Sequence, residues 1–263
     1  MNRTDYTEAN RQMWNETAAV HEKVRGDSLL ERVKSRDFST FKSVEKRLFA
    51  KIGLQGKSVV QLACNNGREI ISVKKAGAGR CVGFDISDQF IAQGQALVAA
   101  SGVEVELMRS SVYDIPHTYD GQFDLVYITI GALGWMPDLI EFFNIVTRLL
   151  KPHAQVFIYE MHPILNMFDP DTGLQVKHSY FQTEPLVEEA GPDYLDPTQI
   201  VQGKSYWFFH KLSDVLGGCL RNGMVVTHFE EYPDDISNVF KKFEEYELKP
   251  PLSYSLIAAR RVV

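Results

Sequence analysis

Cysteine is scarce in this chain, and positive charge does not predominate. Cys64, Cys81 and Cys219 are the three cysteines in 263 residues. The number is odd, none forms a CxxC pair and no histidine stands at zinc-ligand spacing, which speaks against a disulfide framework, a redox dithiol or a structural zinc, so no metal site is expected. Reduced thiols suit a cytoplasmic protein. Lysine and arginine number 28 against 34 acidic residues, a net charge of -6, so no overall positive field gathers nucleic acid or an anionic membrane. The expected partner is a small molecule, with no nucleic acid and no membrane. No apolar run approaches the ~18 residues that span a bilayer, and the polar start MNRTDYTEANRQMWNE lacks the apolar core of a signal peptide. Two glycine motifs are missing as well. Without G-x-G-x-x-G after the first strand a dehydrogenase reading fails, and without G-K-[ST] there is no phosphate-binding loop, so the expected ligand carries ribose but little phosphate.

What is present is an alternation of two periodicities. Residues 1–45 read as a helical arm or lid with polar breaks, with Trp14, Ala18 and His21 at helical spacing, and Leu48, Phe49 and Ile52 lead to a glycine stop at Gly53. From Lys57 short apolar runs alternate with helical segments: SVVQLA then REIISVKKAG, RCVGFDI then SDQFIAQGQALVAASG, FDLVYITIG then PDLIEFFNIVTRLLKP, and AQVFIYEM. This pattern predicts βαβ units and a parallel sheet with helices on both faces. Ser87 fits an N-cap, Gly77 and Gly102 fall just past helix ends, and Pro137 suits a first helical turn. Residues 163–205 lose periodicity and gather Pro, Gly, Asp and the rings of Phe168, His178, Tyr180, Phe181 and Tyr194, which predicts an insertion serving as a lid. The helix LSDVLGGCLRNG and the strands MVVTHFEEY and LSYSLIAARR follow.

Ligands of open parallel sheets bind at the carboxyl ends of the strands. After the first strand stands ACNNG, and after the second stands Asp85, placed to accept both hydroxyls of a ribose. Gly67 lets the chain turn sharply, and Asn65 and Asn66 tolerate left-handed backbone.

The series VVQLACNNG, VGFDIS, SSVYDIP, FDLVYITIGALGWMPD and RLLKPHAQVFIYE, with the tail PLSYSLIAAR, resembles class I S-adenosylmethionine-dependent methyltransferases. It resembles a bacterial small-molecule subgroup with a variant first motif, an HP pair after strand five and a terminal LxYSLxAR. The usual first motif, V-L-D-L-G-C-G-T-G, is altered here: Gln61 replaces the acid, Ala63 and Asn65 replace two glycines, and Gly67 retains the third. Gln61 keeps hydrogen-bonding capacity but offers no carboxylate to an ammonium group, and Ala63 permits close approach only if its φ is negative.

The resemblance implies an α/β, Rossmann-like, doubly wound sheet of seven strands, mostly parallel with an antiparallel last strand, in three α/β/α layers. It divides one overall domain into an N-terminal arm (1–45), a cofactor-binding core (46–162), an insertion or substrate lid (163–205) and a segment with the last helix and two strands (206–263). It also implies a monomer or homodimer using S-adenosylmethionine as cofactor. Ala63, Asn65 and Gly67 would line its methionine end, Asp85 its ribose, Ile86 with Phe90 its adenine, Ser111 and Val112 the adenine edge, and Thr129, just past strand four, the methionine side. Ile86, Phe90 and Thr129 fit ordinary core or turn positions equally well. Methyl transfer from a sulfonium needs alignment above all, and a base only if the acceptor must lose a proton. Candidates for that base are Glu160, His162, Tyr206 and His210, while Tyr6, Trp14 and Trp135 are candidate substrate contacts. The function this predicts is methyl transfer to a small molecule. The competitors are a non-catalytic S-adenosylmethionine or S-adenosylhomocysteine binder and a protein or RNA methyltransferase; ITIGAL after strand four lacks the N/D-P-P-Y/F signature of enzymes that methylate nucleic-acid amino groups.

Overall fold

Strand residues that alternate between two apolar clusters dictate a sheet buried on both faces. The structure is a computed structural model that describes residues 1–193 and 195–261; Tyr194 lies outside the described residues. Seven strands form the main sheet: β1 (Val59–Leu62), β2 (Cys81–Asp85), β3 (Glu106–Arg109), β4 (Phe123–Thr129), β5 (Leu150–Met161), β8 (Met224–Tyr232) and β9 (Ser253–Arg260). Their order is β3-β2-β1-β4-β5-β9-β8. Pairing is parallel from β3 through β5, while β9 runs antiparallel to both β5 and β8. This is the Rossmann-like three-layer fold that the motif series implied.

Val60, Val82, Val126, Val156 and Leu256 face one cluster, which packs against α5 (Leu139–Leu149) and α6 (Leu212–Arg221). Val59, Leu125, Tyr127, Phe157 and Ile257 face the other, against α2 (Ser43–Ile52), α3 (Arg68–Lys75) and α4 (Asp88–Ser101). Each such fully buried side chain contributes about 1.5–3 kcal/mol of transfer free energy, so the two faces fix the register and with it the positions of the strand ends. Ser87 caps α4 by accepting from Phe90 N, and Gly102 closes the helix at φ 69°. At α5 the cap is Asp138, accepting from Glu141 N, and Pro137 stands before the helix instead of within its first turn.

Two further elements differ from expectation. The arm is one helix, α1 (Arg3–Val33), started by a capping box between Asn2 and Asp5, with no break at its polar residues. The insertion contains a hairpin, β6 (Leu186–Pro192) with β7 (Ile200–Trp207). The expected boundary at 205/206 therefore falls inside β7. Asn10 of α1 joins the two additions: its Nδ2 donates to Tyr206 O at 3.0 Å, and its Oδ1 accepts from Tyr206 N at 2.8 Å.

Candidate active site

The carboxyl ends of β1, β2 and β4, roofed by α1, enclose a cavity of about 340 Å³. Its floor starts at Gln61, which is buried and whose Oε1 has no hydrogen-bond partner among the described residues. The next residues turn sharply. Ala63 and Asn65 adopt φ of 51° and 52°, so the negative-φ condition at Ala63 is not met. This left-handed pair aims the Asn65 N–H at Asp85 Oδ2, at 2.7 Å. Gly67 initiates α3 at φ 70°, and a Cβ there would lie 2.9 Å from Leu107. Gly67 is not among the residues lining the cavity, so its role is the turn and the packing of α3 against β3.

Asp85 closes β2 and is nearly buried. Its second oxygen accepts from Ser87 N at 2.9 Å. Burial pushes its carboxyl up to about 6, against the opposing pull of those backbone amides. Each carboxylate oxygen keeps a further acceptor direction. Ile86, Phe90, Ser111, Val112 and Thr129 all line the same cavity, Thr129 as the last residue of β4 instead of one past it. Ala63, Asn65, Asp85, Ile86, Ser111, Val112 and Thr129 are thus brought together from four segments.

The catalytic candidates are not. None of Glu160, His162, Tyr206 and His210 is among the lining residues. Glu160, at the end of β5, accepts from Ala132 N at 2.9 Å, Leu133 N at 3.3 Å and Met161 N at 2.9 Å, and also from Gly131 N. Its carboxylate thereby anchors the loop after β4, although burial raises its pKa. His162 Nδ1 accepts from Ile164 N at 3.1 Å and its Nε2 lies 2.9 Å from Glu231. His210 Nε2 bonds Met136 O at 2.7 Å. Burial lowers the pKa of both histidines. Tyr206 packs edge-on against Tyr6, 4.8 Å between centroids, and Tyr6, also outside the lining, serves to seat α1 on β7. Among the substrate candidates, Trp14 and Trp135 do face the cavity, 5.1 Å apart, with Trp207 5.0 Å beyond Trp135 and Phe90 6.0 Å from Trp14.

Sequence reasoning missed one polar pair altogether. His21 Nε2 lies 3.0 Å from Asp193 Oδ2, both buried, with His21 on the cavity wall. The helical spacing marked His21 as inward-facing, but nothing near Asp193 announced its partner. Among the described residues, no group of three or more His, Cys, Asp or Glu is placed to hold a metal, and no helix is long and apolar enough to cross a membrane.

Comparison with known proteins places this geometry. Residues 59–153 match the family described as "Methyltransferase domain". An uncharacterized methyltransferase of Bacillus subtilis, YbaJ, is 25% identical over 194 residues, covering 72% of this chain and 73% of that protein. The ubiquinone biosynthesis O-methyltransferase of Pseudomonas aeruginosa is 32% identical over 107 residues, 40% of this chain and 45% of the relative; the chain thus spans less than half of that protein's length. The solved structure of an S-adenosylmethionine-dependent methyltransferase from Mesorhizobium loti superposes with a TM-score of 0.57 at 20% identity, covering 83% of this chain and 98% of that one. The fold and the matched domain are those of the class I S-adenosylmethionine-dependent methyltransferases. The methyl donor of this class is S-adenosylmethionine.

Proposed function

We propose that the chain transfers the methyl group of S-adenosylmethionine to a small molecule and belongs to the small-molecule subgroup with a variant first motif. The observation that carries this reading is the convergence of Gln61, Ala63, Asn65, Asp85, Ser111 and Thr129 on one cavity at the strand ends. Asp85 holds the ribose hydroxyls, Ile86, Phe90 and Val112 flank the adenine with Ser111 at its edge, and the backbone of Ala63 and Asn65 lies along the methionine end. The orphaned Gln61 Oε1 fits the donor's ammonium group, accepting a hydrogen bond where a carboxylate would also supply charge. The donor supplies an electrophilic methyl on a positive sulfur, and the chain supplies alignment and exclusion of water.

In this reading the acceptor is small: α1, Trp207 at the end of β7 and the 236–239 loop line a largely apolar cavity beside Thr129, of a size that suits a small molecule. The similarity to a ubiquinone biosynthesis O-methyltransferase supports a small-molecule acceptor. In this reading residues 1–45 and 163–205 act as lids over the core 46–162, residues 206–263 complete the same domain, and the protein works in the cytoplasm as a monomer or homodimer. Calorimetric titration with S-adenosylmethionine tests it. Single-site binding is expected, and Asp85→Ala should weaken it by about 1.5–3 kcal/mol, the size of a lost charged hydrogen bond; a wild type that binds no S-adenosylmethionine sinks the reading.

A further inference from the structure

The turn after β1 carries a neutral amide at Gln61, yet the wall beside it holds a carboxylate from another element. We propose that Glu69 binds the ammonium group at the methionine end of the donor and supplies the negative charge that Gln61 does not; this rests on the S-adenosylmethionine reading above.

Glu69 is singled out on three grounds. Among the described residues, the acids on the cavity wall are Glu22, Glu69 and Asp85. Asp85 holds the amides of Asn65 and Ser87 and, in the reading above, the ribose. Glu22 is exposed on α1, whereas the Glu69 side chain is only 14% exposed.

Glu69 also lies on the Gln61 side of the sheet. Gln61 stands two residues after Val59 and pairs with Tyr127 of β4, so its side chain shares the face that α3 covers. Glu69 is the second residue of α3, next to Ile70, which packs in the same cluster. Burial first, and after it nearby negative charge to which Glu69 contributes, raises the pKa of Cys64 and of Tyr127. Cys64 follows Gln61 on the chain and Tyr127 faces it across the ladder, so the charge of Glu69 is felt on both sides of Gln61.

The third ground is the match of donors to acceptors. Gln61 Oε1 and Asn66 Oδ1 belong to cavity-lining residues, and both atoms are buried with no hydrogen-bond partner among the described residues. An ammonium brings three donors. Two neutral oxygens alone would leave its charge buried without a counter-ion, a costly state; the Glu69 carboxylate completes the set. Arg68 Nε donates to Glu69 Oε1 at 2.6 Å, which steadies the carboxylate without exhausting its acceptor directions. Opposite charges side by side on Arg68 and Glu69 suit a zwitterionic amino-acid end, which carries a carboxylate beside its ammonium.

Calorimetry on the full chain with three probes tests this assignment: S-adenosylhomocysteine, its desamino analogue, which keeps the carboxylate, and 5′-methylthioadenosine, which lacks the amino-acid end. Wild type should bind S-adenosylhomocysteine about tenfold or more tighter than the desamino analogue. Glu69→Gln should lose about tenfold or more in affinity for S-adenosylhomocysteine, the effect of removing a charged hydrogen bond. Its affinities for the desamino analogue and for 5′-methylthioadenosine should stay at the wild-type values, which also reports a folded site. A loss shared by all three probes makes Glu69 a packing residue of α3, and a loss shared by S-adenosylhomocysteine and the desamino analogue makes it act on the carboxylate through Arg68. Either result, undiminished S-adenosylhomocysteine binding in Glu69→Gln, or equal wild-type affinities for S-adenosylhomocysteine and the desamino analogue overturns the proposal alone. A wild type that binds neither S-adenosylmethionine nor S-adenosylhomocysteine overturns the underlying function and the proposal with it.

Discussion

Ala63 and Asn65 hold left-handed backbone, a conformation that costs an L-residue about 1–2 kcal/mol. Asparagine offsets part of that locally, since Asn65 Oδ1 accepts from Asn66 N at 2.8 Å; alanine has no such compensation. Ala63→Gly should therefore raise stability by up to about 1 kcal/mol, the relief of strain exceeding the extra entropy of glycine, as read from urea denaturation; a loss of stability contradicts this account of the turn. Asp85 makes a prediction in pH. Its folded pKa of about 6 lies above the ordinary carboxyl value, so it favours the folded state while protonated, and that contribution fades as pH rises through the folded value. Donor affinity runs the other way, because the carboxylate is the stronger acceptor. Affinity for S-adenosylmethionine should fall about tenfold between pH ~7 and ~5 in the wild type, and Asp85→Asn should flatten that dependence. Asp85 was legible because a strand end can be located from an apolar run. His21 with Asp193 was not, since 172 residues separate them and a lone aspartate in a polar stretch carries no signal.

The elements around the cavity are held by polar side-chain contacts as well as by the apolar packing of Leu29 and Val33 against Ile71 and Leu97. α1 is fastened to α4 by Asn15 Oδ1, which accepts from Ser87 Oγ at 2.7 Å, and by the Arg11–Asp88 ion pair, and to β7 by Asn10. Asn10→Ala should destabilise this corner by about 1–3 kcal/mol, because it leaves the buried Tyr206 N–H and C=O unsatisfied. Hydrogen exchange should quicken in α1 and the β6–β7 hairpin while β1, β4 and β5 stay protected; uniform loss across the sheet, or none, contradicts a local clasp. The hairpin itself escaped sequence reading for a physical reason. β6 is mostly exposed along LVEEAGP, so it has no buried face to impose alternation, and its pairing is supplied by β7 and by α1 behind it. The inner strands β1, β2, β4 and β5, buried over most of both faces, announced themselves as apolar runs, whereas the half-exposed edge strand β3 gave no such run.

Taken as a whole, the molecule is a sheet whose two faces are filled by helices and whose carboxyl edge is partly covered by α1 and the end of β7. The βαβ order and the punctuation at Ser87 and Gly102 made this architecture readable, because each is a local consequence of chain chemistry. The altered first motif was readable too, but what it does was not: the floor depends on Ala63 taking a positive φ and on Gln61 Oε1 having no hydrogen-bond partner among the described residues, and both are set by tertiary packing. A ligand that binds this edge alone must stabilise the entire fold. S-adenosylhomocysteine at a hundredfold excess over its Kd should add about 2.7 kcal/mol to the unfolding free energy, and a nicotinamide dinucleotide, for which the pyrophosphate turn is missing, should add nothing. The most direct test of the central claim is a crystal structure of the full chain with S-adenosylhomocysteine. The account predicts ribose hydroxyls on Asp85, adenine beside Ile86 and Val112, and the amino group at Gln61 Oε1; a ligand bound away from the β1 and β2 ends, or Asp85 contacting only the amides of Asn65 and Ser87, contradicts it.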